Sequence, residues 1–221
     1  MFRRLFALFD RLMGGQWGCP RGPLGRLAAI LMERGNAAMN DLALEALDAQ
    51  QGDAVLEIGF GPGSTLERIA EQVGERGSVA GIDPSALMVR QAGRRLRRRV
   101  DAGRAELLQG YSSSMVYADA TFDRVLSVNT IYFWQDPQAD IREVRRVVKP
   151  SGRFVLVFRG SGNEGGGLVV HGMPHPTAVA EVVAWMKSAG FTDVTERTRQ
   201  APFGPETVTA VALAGRGGAL A

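Results

Sequence analysis

The sequence Val55-Leu-Glu-Ile-Gly-Phe-Gly-Pro-Gly63 joins an apolar run to three closely spaced glycines. The residues that follow, Ser64-Thr-Leu-Glu-Arg-Ile-Ala70, have the pattern of a helix start. Glycine lets the backbone turn sharply after a strand and lets a ligand approach the main chain. This unit of strand, turn and helix therefore predicts a binding site for a nucleotide-type ligand.

The spacing of the glycines separates two kinds of nucleotide ligand. A dinucleotide site prefers G-x-G-x-x-G, whereas Gly59, Gly61 and Gly63 form G-x-G-x-G, with Ser64 where the third dinucleotide glycine belongs. Glu57 lies just before the glycines, where its charge would repel a pyrophosphate but attract the ammonium and sulfonium groups of S-adenosylmethionine (SAM). The stretch therefore favours SAM over NAD(P).

Asp83 ends the next apolar run, where an acid can accept hydrogen bonds from both hydroxyls of a ribose. The alternative role for this carboxylate is to cap the helix that opens at Pro84-Ser85. The nearby glycine-rich turn favours the ribose role.

The apolar runs along the chain predict the fold. Runs typical of strands occupy residues 54–58, 78–82, 105–108, 122–128 and 153–158, with helical patterns between the first four and again before the fifth. Such alternation predicts a mostly parallel sheet. Two later runs, 192–199 and 207–214, are joined by a connection too short for a helical crossover and should pair antiparallel. We expect an α/β, Rossmann-like sheet of seven mostly parallel strands with an antiparallel C-terminal hairpin.

A chain of 221 residues fits one α/β domain. We expect a SAM-binding domain at residues 48–214, preceded by an N-terminal helical lid at 1–47 and followed by a flexible tail at 215–221. Within these parts, helices are predicted over residues 27–47 and 177–189.

Cysteine content and hydropathy limit the disulfides, metal sites and membrane segments that the protein can have. Cys19 is the single cysteine, so an internal disulfide is excluded and no zinc-site spacing is present. No metal site is expected. No segment has the apolar length of a membrane-spanning helix, and the apolar start is interrupted by Asp10 and Arg11, unlike a signal peptide. We expect a cytoplasmic protein, either a monomer or a homodimer.

Two basic regions of the sequence raise the question of a nucleic-acid partner or a membrane surface. The net charge is +3, and five arginines concentrate after a helical pattern at positions 94, 95, 97, 98 and 99. The pattern favours the solvated face of a helix, so no nucleic-acid partner is predicted. Residues 2–13 are apolar and basic; they either pack on the domain or a partner subunit or make a peripheral contact with a membrane surface.

Taken in order, several motifs carry a family resemblance. They are the glycine-rich stretch at 55–63, Asp83, residues 110–123 and Arg142-Glu-Val-Arg-Arg-Val-Val-Lys-Pro-Ser-Gly152. Over residues 52–158 this order resembles the class I SAM-dependent methyltransferases, particularly the ubiquinone/menaquinone-biosynthesis-like methyltransferase 11 type. The resemblance implies a methyltransferase that uses SAM.

The resemblance also assigns the loop after the third strand to the adenine of SAM. In this family the loop usually contains Gly-Asp-Ala, but here it reads Gly110-Tyr-Ser-Ser-Ser-Met-Val-Tyr117, so that Tyr111 replaces the usual acid. Tyr111 would stack on the adenine or accept through its hydroxyl, and Ser112 would add a hydrogen bond. The alternative is an ordinary polar loop.

The segment after the fourth strand, Asn129-Thr-Ile-Tyr-Phe-Trp134, runs under the sulfonium and towards the methyl acceptor in the family. Asn129 and Thr130 are expected to contact SAM, while Tyr132, Phe133 and Trp134 are expected to wall an acceptor pocket. The alternative for the aromatic residues is a place in the core. The residues expected to bind SAM are Glu57, Gly59, Gly61, Gly63, Asp83, Pro84, Gly110, Tyr111, Ser112, Asn129 and Thr130.

Acid–base chemistry and the lid supply the remaining candidates. A hydroxyl or phenol acceptor would benefit from a general base, and His171 and His175 are the only histidines. The alternative is a surface loop with incidental histidines. In the predicted lid, the candidate ligand contacts are Trp17, Arg26, Asn36 and Asn40.

Three functions are consistent with these residues. The first is a methyltransferase that acts on a small, aromatic or apolar acceptor by in-line displacement. The second is a SAM-binding protein without transferase activity, and the third is an NAD(P)-dependent reductase, which Ser64 and Glu57 disfavour.

Overall fold

The computed structural model describes residues 18–160, 178–203 and 206–218. The strands are β1 (Ala54–Ile58), β2 (Ser78–Asp83), β3 (Ala105–Gln109), β4 (Phe122–Val128), β5 (Val148–Gly160), β6 (Phe191–Phe203) and β7 (Glu206–Gly217). The α-helices are α1 (Gly22–Gly35), α2 (Ala37–Leu47), α3 (Ser64–Val73), α4 (Ala86–Arg95), α5 (Arg97–Asp101), α6 (Pro137–Val147) and α7 (Val179–Ser188). None of the helices in this part of the chain is long and apolar enough to cross a bilayer.

The seven strands form one sheet in the order β3-β2-β1-β4-β5-β7-β6. Strands β1 to β5 pair in parallel, while β7 pairs antiparallel with both β5 and β6. The expected Rossmann-like sheet with its C-terminal hairpin is therefore confirmed. The chain order reverses between β1 and β4, and ligands of such sheets bind in the crevice at the carboxyl ends of these strands.

Helices cover both faces of the sheet because alternate residues of each strand point to opposite faces. Val55 belongs to the apolar cluster that contains residues of α2, α3 and α4. Leu56 belongs to the second cluster, which contains residues of α6 and α7. The sheet is therefore buried on both sides, as expected for parallel strands.

The N-terminal helices differ from the prediction. The helix expected over 27–47 is two helices that meet at Asn36, whose backbone N–H bonds to Met32 while its carbonyl accepts from the backbone N–H of Asn40. The buried residues of α2 are Met39, Leu42, Ala43, Leu44, Ala46 and Leu47. Because α2 packs into the main core, the lid expected through residue 47 is wrong for this helix.

Two further boundaries are corrected. Between β3 and β4 the structure has a single 3-10 turn, Ser112–Ser114, where a helix was expected. Strand β7 continues to Gly217, so the flexible tail expected from residue 215 is wrong for its first three residues. Gly215 pairs with Phe154, and a Cβ at this glycine would lie 3.0 Å from the Met186 side chain, so this position is packed.

Candidate functional site

A cavity of about 430 Å³ lies at the carboxyl ends of β1, β2, β3 and β4. Residues 18–20 and α1 border it from the N-terminal side. Its volume falls within the range of small-molecule sites, and its place matches the crevice predicted by the strand order. The sequence-predicted residues in its wall are Glu57, Gly59, Gly61, Asp83, Pro84, Gly110, Tyr111, Ser112, Asn129 and Thr130.

The three glycines after β1 have positive φ angles but different surroundings. At Gly59, a Cβ would collide with the methyl group of Thr130. At Gly61, a Cβ would meet no atom within 4 Å, and the residue lines the cavity. At Gly63, a Cβ would lie 2.7 Å from the Cβ of Ala92 in α4. Gly63 is not in the cavity wall, so its expected cofactor contact is replaced by a packing role.

Asp83 holds the glycine-rich loop. Its Oδ2 accepts from the Gly61 N–H at 2.9 Å, and its Oδ1 accepts from the Ser85 N–H at 2.8 Å. The cap of α4 is Ser85, whose Oγ accepts from the Met88 N–H, so the capping alternative for Asp83 is wrong. Each carboxylate oxygen has a further lone pair with which it can accept from a ligand hydroxyl.

Glu57 is a second buried acid in the cavity wall. Its side chain is 3% exposed, and its Oε2 has no hydrogen-bond partner among the described residues. Burial, followed by the charge of Asp83, raises the pKa of Glu57 well above its usual value. Burial also raises the pKa of Asp83 to about 6, although the Ser85 and Gly61 N–H groups oppose that rise. A cationic ligand in this part of the cavity would compensate both carboxylates.

The raised pKa of Asp83 predicts that the ligand-free protein loses stability between about pH 4 and about pH 7, and the raised pKa of Glu57 acts in the same direction. An acid whose folded-state pKa is raised stabilises the fold below its unfolded pKa, and this contribution is lost as the pH rises through the folded value, here about 6 for Asp83. The loss is on the order of 3 kcal/mol for a shift of this size. Urea unfolding at a series of pH values measures it.

The Asp83→Asn variant serves as the control because an amide does not titrate. Its unfolding free energy should depend less on pH than that of the native protein in this window. Carboxyls with lowered pKa, such as Asp123 and Glu143, lose their stabilisation at lower pH and do not produce the same slope. A native protein whose stability rises steadily from about pH 4 to about pH 7 would contradict the prediction.

The end of β3 forms another wall of the cavity. Tyr111 is 66% exposed, whereas Ser112 is buried and donates its hydroxyl to Oδ1 of Asp140. The Gly110 N–H bonds to the Asp83 carbonyl, which ties this loop to the end of β2. With its proton directed to Asp140, the Ser112 oxygen retains lone pairs for a ligand.

The end of β4 is connected to the N-terminal helices. Asn129 has a φ of 57° and donates from Nδ2 to Asn36 Oδ1 at 2.9 Å. Thr130 shares a hydrogen bond with Ser127. The lid candidates Asn36 and Asn40 also line the cavity, and Asn36 lies at the junction of α1 and α2.

The aromatic segment after β4 divides between core and cavity. Tyr132 is buried, its hydroxyl accepts from the Arg159 backbone N–H, and it does not line the cavity. The acceptor-wall role predicted for Tyr132 is therefore wrong. Phe133 and Trp134 do line the cavity, and a Cβ at Gly18 would lie 2.8 Å from the Phe133 ring.

Several other candidates lie elsewhere. Trp17, His171 and His175 are outside the described residues. Arg26 is exposed on α1 and is absent from the cavity wall. No cluster of potential metal ligands occurs in the part of the chain that the structure describes.

The arginine-rich helices make local contacts. Arg95 pairs with Glu33 at 2.9 Å. Arg99 donates to the carbonyls of Gly74 and Ala70, where α3 ends. Arg95 and Arg99 therefore connect this region to neighbouring helices of the domain.

Residues 18–20 are the part of the wall that sequence patterns missed. The Ser85 hydroxyl donates to the Pro20 carbonyl at 2.6 Å, and the Cys19 Sγ lies 3.7 Å from the Pro84 carbonyl. These partners are 65 residues apart, and neither periodicity nor glycine spacing connects them. Only the folded chain shows that this segment borders the cavity beside the end of β2.

Known proteins share this domain and fold. Residues 56–156 match the family model of the methyltransferase 11 type, described as a methyltransferase domain. YrhH of Bacillus subtilis (strain 168), which is named as a methyltransferase, is 34% identical over 115 residues, or 52% of this chain and 62% of that protein. A 2-methyl-6-phytyl-1,4-hydroquinone methyltransferase from Oryza sativa subsp. japonica is 29% identical over 172 residues, or 71% of this chain and 46% of that protein.

The chain thus spans about six tenths of the first of these relatives and about half of the second. A solved SAM-dependent methyltransferase from Aquifex aeolicus has the same fold, with a TM-score of 0.62 and 22% identity over 80% of this chain and 89% of that one. The domain match, the strand order and the glycine-rich loop agree. Residues 56–156 thus match a methyltransferase domain, and the chain resembles the class I SAM-dependent methyltransferases in sequence and in fold.

Proposed function

We propose that this protein transfers the methyl group of SAM to a small aromatic or apolar acceptor. The observation that carries the proposal is a single cavity whose wall contains two buried acids, Glu57 and Asp83, together with the aromatic side chains of Phe133 and Trp134. The acids suit the cationic cofactor, and the aromatic residues suit a flat apolar acceptor.

The residues of the cavity fit SAM. The unpartnered Oε2 of Glu57 supplies a buried acceptor for an ammonium group. Asp83 is positioned by two backbone N–H groups and offers lone pairs to ribose hydroxyls. Above Gly61 there is open space for close approach of the cofactor to the backbone. We assign adenine to the side formed by residues 110–112.

The acceptor side is assigned to Phe133 and Trp134. Phe133 is partly exposed and Trp134 is buried, so together they offer one accessible ring and one fixed wall. The rice relative is named for a hydroquinone, which is a flat aromatic molecule with an apolar tail. A phenolic or quinol acceptor is therefore the class that we favour.

SAM supplies a methyl group activated by its sulfonium. The chain's own residues align the acceptor on the aromatic wall and exclude water, which are the main tasks in such a displacement. The acceptor forms the new bond to the methyl carbon while the electron pair of the breaking bond stays on sulfur. For a hydroxyl acceptor the proton leaves to a base or to solvent, and His171 and His175 stay the proposed general bases.

Cofactor and acceptor can be tested separately. Calorimetry should show binding of SAM and S-adenosylhomocysteine but no binding of NAD or NADH. Incubation with SAM and a panel of phenols, hydroquinones and amines, followed by mass spectrometry, should then show a methylated product. Tight NAD binding without SAM binding would overturn the whole assignment. SAM binding with no product from any acceptor would favour the SAM-binding protein without transferase activity.

The Phe133→Ala variant tests the acceptor side. Loss of the ring should raise the KM for the acceptor by about tenfold, which corresponds to roughly 1.4 kcal/mol of lost contact energy. The affinity for SAM should stay within about twofold of that of the native protein. Val116→Ala is the matched control because Val116 is an exposed apolar residue that does not line the cavity. Equal KM values for Phe133→Ala and the native protein would remove Phe133 from the acceptor site.

A further inference from the structure

Helix α1 carries an exposed apolar surface that the cavity does not explain. Leu24, Leu27, Ile30 and Leu31 are between 36% and 56% exposed, and we call them the α1 apolar face. Leu24, Leu27 and Leu31 follow the i, i+3, i+7 spacing of one helical stripe, and Ile30 lies beside it. The buried residues of the helix, Gly25, Ala28 and Ala29, lie on its other side. This concentration of exposed apolar side chains on one helix indicates an interaction surface.

The surroundings of the α1 apolar face are basic. Arg26 and Arg34 are exposed on the same helix, and Arg94 of α4 lines a shallow groove together with Ile30. Glu33 is the only acidic residue of α1, and its carboxylate is paired with Arg95. Apolar side chains bordered by arginines are the pattern of a helix that lies in the interface of an anionic bilayer.

The same helix forms part of the cavity wall. Met32 and Glu33, near the end of α1, line the cavity, as does Asn36 directly after it. A membrane bound at the α1 apolar face would therefore contact the same helix that borders the cavity. This place suits an apolar acceptor that partitions into lipid.

We propose that the α1 apolar face docks on an anionic lipid surface and that the acceptor reaches the cavity from that surface. The second part rests on the proposed function, whereas the docking itself does not. A second copy of the chain is the less favourable occupant, because a symmetric contact through this face would bring Arg26 and Arg34 of both copies together. Residues 2–13 repeat the apolar and basic composition in sequence, which adds to the affinity for anionic lipid.

Co-sedimentation of the full chain with vesicles tests the docking without SAM or acceptor. We expect binding to phosphatidylcholine vesicles that contain about 30% phosphatidylglycerol, and binding at least about tenfold weaker to phosphatidylcholine alone. The double variant Leu27→Gln/Ile30→Gln should lower the partition coefficient by about tenfold or more. Arg26→Gln/Arg34→Gln should reduce binding to the anionic vesicles only. Added salt should reduce the binding of the native protein to these vesicles in the same way.

The matched control is Val100→Gln/Val116→Gln, which removes two exposed apolar side chains from other surfaces. It should bind vesicles within about twofold of the native protein. Absence of vesicle binding, or equal binding by Leu27→Gln/Ile30→Gln, would overturn the proposal. A concentration-dependent dimer that Leu27→Gln/Ile30→Gln dissociates would assign the face to a second copy. Calorimetry with SAM separates these outcomes from a failure of the proposed function, since the α1 variants leave the cavity wall intact.

Discussion

Replacement of Gly61 by valine is expected to lower the affinity for SAM by at least about a hundredfold, or roughly 3 kcal/mol, while the protein stays folded. A Cβ at this position would meet no protein atom within 4 Å and would enter the cavity. The side chain would thus occupy space that the cofactor needs and would not collide with the core. Calorimetry with S-adenosylhomocysteine measures the effect.

Backbone strain has to be separated from this steric effect. Gly61 has a φ of 54°, a conformation that a β-branched residue adopts only at a cost of about 1–2 kcal/mol. Gly103 has a φ of 66° and open space around it, and it does not line the cavity. Gly103→Val should therefore show a similar loss of thermal stability with unchanged SAM affinity. Normal SAM affinity in folded Gly61→Val would show that this glycine does not face the cofactor.

Replacement of Gly63 by alanine is expected to cost about 2–5 kcal/mol of unfolding free energy, although only one methyl group is added. The new Cβ would lie 2.7 Å from the Cβ of Ala92 and 3.1 Å from its Cα, so that helix α4 would have to shift. Overpacking of this kind costs about 1–3 kcal/mol, and the φ of 86° adds about 1–2 kcal/mol for a residue with a Cβ.

Urea unfolding measures this loss, and Gly103→Ala is the control because it carries the backbone strain without the collision. The control should lose about 1–2 kcal/mol only. If the two variants lost equal stability, the close approach of Gly63 to α4 would not matter energetically. In the fraction of Gly63→Ala that stays folded, SAM should bind more strongly than in Gly61→Val, because Gly63 is absent from the cavity wall.

These two glycines show how far a motif predicts a site. The G-x-G-x-G spacing predicted a nucleotide turn, and the structure places that turn at the cavity. The spacing could not separate a glycine that faces a ligand from one that faces a helix, because both have positive φ angles. Which neighbour each Cβ would meet depends on the position of α4, which packs against the loop only in the folded chain.

The aromatic segment after β4 shows the same limit. Tyr132, Phe133 and Trp134 are adjacent in sequence and share a composition that is typical of both a core and a ligand wall. A 3-10 turn at Ile131–Phe133 directs Tyr132 into the core, where its hydroxyl bonds to the backbone of β5, and leaves Phe133 at the cavity. Sequence period alone does not predict such a short turn.

The sequence by itself determined the sheet and its C-terminal hairpin, and it predicted the cofactor. Strand periodicity, glycine spacing and the position of Asp83 are local patterns, and local patterns are readable along the chain. Tertiary structure alone decided that α2 belongs to the core, that Pro20 lies against Ser85 and that Asn36 binds Asn129. These contacts join residues far apart in sequence, and they form because burial of the apolar faces of the helices, a non-local effect, brings polar groups together at the same edge of the sheet.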